Sequence, residues 1–161
     1  MPDTADSIPS LAQWAGGEEA ISRLFDRFYE RVPSHPLLAP VFAAMAQRHA
    51  EQVAAFVGEV LGGDKHYSAA GGSHAGMIAR HIGRHLTEEQ RRAWVALLLD
   101  TADEVSLPTD PEFRASLVGY LEWGSRLAVM NSREDTASTD ERAPMPSWTW
   151  SSPGGPYRPR S

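Results

Sequence analysis

Residues 77–94, MIARHIGRHLTEEQRRAW, decide the reading of this chain. Helical spacing sets His81 beside Met77 and Ile78, so a single imidazole falls among apolar side chains on the face of a helix expected over 74–85. Thr87 and Gln90 then form a Thr-x-x-Gln capping box, in which each side chain answers the other residue's backbone N–H, and a new helix starts there. Trp94 falls on the inward face of that helix with Leu97, Leu98 and Thr101. One short loop thus joins a candidate metal ligand to a buried indole N–H.

Helical periodicity extends outward in both directions from about residue 10 to about residue 130, and no segment alternates in the period-two manner of a strand. The expected class is therefore all-α. Ser10 can cap a short helix carrying Leu11 and Trp14 that stops at Gly16-Gly17. The next helix stripes Ile21, Leu24, Phe25, Phe28, Tyr29 and Val32 along one face before Pro33 ends it. Residues 34–42, with Pro36 and Pro40, read as an irregular or 3₁₀ connection. A helix over about 47–61 carries Val53, Phe56, Val57 and Val60, with His49 four residues before Val53 and Gly62-Gly63 at its end. Residues 64–73 read as a flexible connection. The final helix starts at Thr109 or Asp110, with Thr109 and Glu112 as a possible capping box, and carries Phe113, Leu117, Tyr120, Leu121 and Leu127.

Composition divides the chain into a short N-terminus (1–9), one helical domain (10–131) and a tail (132–161). In the tail, 13 of 30 residues are Ser, Pro or Gly and four Arg balance four acids, which reads as disordered. Trp148, Trp150 and Tyr157 among its prolines allow the other reading, a loosely docked segment.

The chain has no cysteine, which removes thiolate zinc sites, iron–sulfur clusters and disulfides and leaves His as the borderline metal ligand. A net charge of -6 disfavours a protein that tracks nucleic-acid phosphates. No signal-peptide pattern and no apolar run long enough for a bilayer are present, so a cytoplasmic protein without a membrane partner is expected.

These residues match what haem asks of a protein: one nitrogen ligand on an apolar side, and donors aimed into a small cavity opposite. His81 is the candidate proximal ligand, Met77 and Ile78 supply apolar surface, and Arg80 can reach a propionate at the edge. Tyr29, Trp94 and His49 are candidate distal donors, each on an otherwise apolar stripe where an unpartnered polar tip is costly, and Phe42 can pack on the macrocycle. The competing readings are core packing for Tyr29 and Trp94, and a surface edge for His49 between Arg48 and Glu51. A rival metal site without haem uses His81 and His85 at i, i+4, with His74 one heptad earlier.

Residues 10–131 resemble the truncated haemoglobins, and within them the second group. The carriers are Gly16-Gly17, Arg27-Phe28-Tyr29, Phe42, Leu61-Gly62-Gly63 followed by Tyr67-Ser68, Arg80-His81, and Trp94 thirteen residues past that histidine. The resemblance implies a shortened globin fold, a two-over-two helical sandwich around haem b. It implies His81 as iron ligand, Tyr29 and Trp94 among the distal donors, His49 at the variable distal-helix site, and Tyr67 and Val53 in the cofactor wall. The chain departs at Gln52 and Val53, where relatives often carry a basic residue and leucine, so no propionate salt bridge from that helix is assigned.

The expected function is reversible binding of dioxygen and related diatomics, suited to storage, sensing or redox chemistry more than to bulk oxygen transport. The enzyme alternative, nitric oxide dioxygenation or peroxidase-like oxidation, needs electrons from a separate reductase, because the chain carries no flavin or nicotinamide motif. Oligomeric state is left open by the sequence.

Overall fold

A computed structural model describes residues 7–133, 142–151 and 154–156. Helix α1 (Leu11–Ala15) begins with a reciprocal cap: Ser10 Oγ accepts from Gln13 N at 3.1 Å, and Gln13 Oε1 accepts from Ser10 N at 2.8 Å. Gly16 closes it in the left-handed region at φ 115°, a conformation that costs glycine little. Helix α2 (Glu18–Arg31) follows, with Glu18 and Glu19 complementing the positive end of its dipole. The striped face is buried as the spacing predicts, and Phe25 and Phe28 are both 0% exposed. Pro33 then turns the chain into a 3₁₀ segment, Val32–Ser34.

Helix α3 (His49–Val60) packs along α2. Helices α6 (Glu88–Glu104) and α7 (Pro111–Met130) form a second pair, and α2 also packs on α6. The two pairs enclose one core, and no strand occurs among the described residues, so the expected all-α, shortened globin fold is observed. The Thr87/Gln90 capping box opens α6 as read from the sequence. The cap of α7 is Asp110 and not a Thr109/Glu112 box: Asp110 Oδ2 accepts from Phe113 N at 3.0 Å, and Oδ1 accepts from the Trp14 indole at 2.9 Å. A carboxylate with two acceptors serves both donors at once. Arg91, buried at the start of α6 and held there by Glu88, joins α6 to α7 through Glu122 and Ser125.

Two expectations change. The 64–73 connection contains a short helix, α4 (His66–Ala69), because Tyr67 is buried against Phe56 with ring centroids 5.1 Å apart and anchors a helical turn there. Helix α5 (His74–Ala79) is shorter than 74–85. Past Ala79 the amides of Ile82 and Arg84 bond carbonyls three residues back, and Gly83 (φ 83°) and His85 (φ 48°) turn left-handed, so the helical ladder cannot continue. His81 therefore sits in the turn after the helix.

Residues 142–151 run against the domain, with Met145, Trp148 and Trp150 packed on its core. Tyr157, grouped with them by sequence, lies outside the described residues. Among the described residues no helix is long and apolar enough to cross a membrane.

Gly72 is demanded by Tyr67, since a Cβ there would lie 2.5 Å from the tyrosine ring. Gly72→Ala is expected to cost about 1–3 kcal/mol as ring or loop shifts, read as a lower midpoint in urea or thermal unfolding. An unchanged midpoint would mean that the ring moves aside freely.

Candidate functional site

Four separate segments bring aromatic rings to one place. On α2, Tyr29 is 8% exposed, and burial pushes its phenol pKa well above the ordinary value, so the hydroxyl keeps its proton. That oxygen lies 3.0 Å from Nε2 of His49, the first residue of α3. Phe42, from the irregular connection, stands edge-on to Tyr29 at 5.4 Å and to His49 at 5.9 Å. Phe28 meets Tyr29 at 4.9 Å on one side and Trp94 of α6 at 6.1 Å on the other. Edge-to-face contacts of this kind orient rings as well as bury them.

The Trp94 indole differs from three of the other four tryptophans. Trp14, Trp148 and Trp150 each donate their ring N–H to a protein oxygen at 2.8 to 3.1 Å. Among the described residues no protein acceptor meets the N–H of Trp94, which is half-buried beside Phe28.

His81 is held by its own turn. Its Nδ1 lies 2.8 Å from the carbonyl oxygen of Met77. A carbonyl can only accept, so Nδ1 carries the hydrogen and the neutral ring keeps a lone pair on Nε2. Burial lowers the His81 pKa, the Met77 carbonyl raises it, and Arg84 and Arg80 lower it, with a net downward shift toward the neutral form. His49 is lowered by burial, then by Arg80, Arg84 and His81, which places the two imidazoles within electrostatic reach of each other. Ile78 is buried, and Met77 and Val53 pack against the core edge. Arg80 is exposed and its Nη1 donates to Gln52 Oε1 at 3.0 Å, bridging the His81 turn to α3.

The sequence-expected residues thus gather unevenly. Tyr29, Phe42, His49 and Trp94 join one cluster, while His81, Arg80, Met77 and Ile78 form the turn that reaches α3. Tyr67 packs instead on Phe56 and bonds Ser73 O at 3.4 Å, in the wall leading into α5. The rival pairing of His81 with His85 loses its geometry, because α5 stops at Ala79 and the two side chains do not share a helix face. Among the described residues the trio spaced for a metal is Glu18, Asp64 and His66, all exposed, and it includes none of His74, His81 and His85. Two partners escaped the sequence reading, Gln52 for Arg80 and the Met77 carbonyl for His81. The second had a signal, since 77 and 81 stand one helical turn apart.

The family model of the bacterial-like globins matches residues 11–123. The chain belongs to that family. It is 37% identical over 123 residues to the group 2 truncated hemoglobin YjbI of Bacillus subtilis, covering 76% of this chain and 91% of that one. Among solved structures, the truncated oxygen-avid haemoglobin from Bacillus subtilis is similar at TM-score 0.66 and 36% identity, over 75% of this chain and 99% of that one. The group II truncated hemoglobin from Bacillus anthracis is similar at TM-score 0.69 and 26% identity, over 81% and 98%. The resemblance to group II truncated haemoglobins therefore holds, and as a globin the protein is a haem binder. Its residues fit that cofactor: one neutral imidazole with a free lone pair, apolar neighbours, and a cationic edge.

A histidine whose folded pKa is depressed binds fewer protons folded than unfolded, so its stabilisation is full above the ordinary 6.5 and is lost as pH falls toward the folded value. The haem-free globin is expected to lose thermal stability between about pH 8 and about pH 5. His49→Gln should make that decline shallower. An identical slope in the variant would show that His49 is not the group responsible.

Proposed function

We propose that this globin reversibly binds dioxygen and related diatomic ligands at haem b, with His81 as the protein's iron ligand and Tyr29, Trp94 and His49 as the groups facing the bound gas. The observation that carries the reading is the Met77 carbonyl on His81 Nδ1, which leaves Nε2 as the lone-pair nitrogen of a ring held in one orientation. Haem, when bound, would supply an iron that takes one protein nitrogen and binds a small ligand. Met77, Ile78, Val53 and Phe42 are the apolar surface for the macrocycle, and Tyr67 backs the wall leading into α5. Arg80 is the partner for a propionate, exchanging the neutral Gln52 oxygen for a carboxylate.

His49 decides which way the Tyr29 hydrogen points. With its proton on Nε2, His49 donates to the phenol oxygen and frees the phenol O–H for a ligand; with the proton on Nδ1, it accepts from Tyr29 instead. The Trp94 N–H, unclaimed by protein among the described residues, is a second donor. Each such hydrogen bond is worth about 1–2 kcal/mol in a dry site and slows release of a polar ligand roughly five- to thirty-fold. Several together suit storage, sensing or redox work better than delivery. Sustained nitric oxide dioxygenation would need electrons from a separate reductase.

His81→Gly is expected to abolish stable haem retention, while His74→Ala and His85→Ala retain it, as read from the Soret band. Full haem content with an unchanged ferrous spectrum in His81→Gly would overturn the ligand assignment. Trp94→Phe keeps the ring bulk and removes the N–H, so oxygen dissociation should quicken several-fold while carbon monoxide, less polarised when bound, changes less. Tyr29→Phe should act in the same direction, and the double variant should be non-additive because both donors share one network. Equal changes for both gases would indicate altered access instead of lost donors.

A further inference from the structure

The last four carbonyls of a helix have no partner within it, and α3 meets this need from two sources. Leu61, Gly63 and Gly62 return their amides to Val57 O, Gly58 O and Glu59 O at 2.8 to 3.0 Å. The fourth carbonyl, of Val60, accepts at 2.8 Å from the backbone N–H of Trp148, in the tail. The family match ends at residue 123, and the tail lies beyond it.

The segment around Trp148 is fastened at three further points. The Trp148 indole donates to Ser116 O at 3.1 Å and lies against Tyr120, Trp123 and Gly119 of α7. Ser151 N donates to the hydroxyl of Ser116, which is 0% exposed. The Trp150 indole donates to Pro9 O at 2.8 Å and stands edge-on to Trp14 and Phe113. Neutral donors meet neutral acceptors throughout, so these contacts do not depend on salt.

We propose that residues 142–151 are an intramolecular clasp, which holds the C-terminal end of α3 to α7 and to the amino-terminal segment and so steadies the helix that carries His49 and Val53. At 1.5 Å per residue, the twelve residues of α3 form a lever about 18 Å long with His49 at the other end. Restraint of its far end limits excursions at the site. The link to haem rests on the function proposed above; the clasp itself does not.

The test is amide hydrogen exchange in the full-length chain, with and without haem, comparing the native protein with Trp148→Ala/Trp150→Ala. Amides at 57–61 are expected to exchange about tenfold faster in the variant, as local opening of the helix end becomes easier, while those in the middle of α6 are unchanged. Haem transfer to excess apomyoglobin should quicken several-fold. Should the double variant fail to fold, Trp148→Phe keeps a ring and drops one hydrogen bond, and a smaller increase of about threefold is expected at the same amides. Unchanged exchange at 57–61 in the folded variant overturns the clasp. Faster exchange with an unchanged haem transfer rate overturns its reach to the site. A chain that takes up no haem would refute the haem reading, and exchange in the haem-free protein would still decide the clasp.

Discussion

Phe28 is the residue on which the arrangement turns. It is fully buried on α2, the helix that packs on both α3 and α6, and it touches Tyr29 and Trp94 edge-on. A ring wedged between two others fixes their relative positions, because a close-packed interior leaves no room for either to drift. The donor groups of the site therefore inherit their geometry from core packing, and the cost of holding polar tips near apolar surface is met by burial elsewhere on the same stripe.

The electrostatics of the site follow from where charge is kept. Arg80 and Arg84 stand near two partly buried imidazoles, and both effects, burial and cationic neighbours, disfavour a second positive charge. Neutral histidine is the form that can ligate a metal or accept a hydrogen bond. One turn of chain thus does two things: it points the Met77 carbonyl at Nδ1 of a ring that burial, above all, keeps neutral, and it sets Arg80 where it bonds α3 through Gln52.

Caps, helix stripes and breakers were legible because each is a local matter. Ser10 with Gln13, Thr87 with Gln90, Pro33 and Gly62 act within four residues of themselves, and burial periodicity along α2 and α7 needs no knowledge of the partner helix. The relation of the chain to bacterial-like globins was legible too, in the order and spacing of single residues such as Tyr29, His81 and Trp94. The tail was less so. Low-complexity composition weighs against order, and the indoles that dock it find their acceptors on Pro9 and Ser116, far off in the chain.

By itself the sequence determined that the chain is helical, where most helices start and stop, and that the Tyr29 phenol and Trp94 indole lie on inward helix faces. Tertiary structure alone decided that Tyr29 meets His49, that Arg80 bonds Gln52, that the Val60 carbonyl is satisfied by Trp148, and that α5 ends before His81. The reason is the range of the interactions. A periodic pattern reports which side of a helix is apolar, but hydrogen bonds between elements depend on how helices cross and where turns release the chain, and these are set by packing of the whole core.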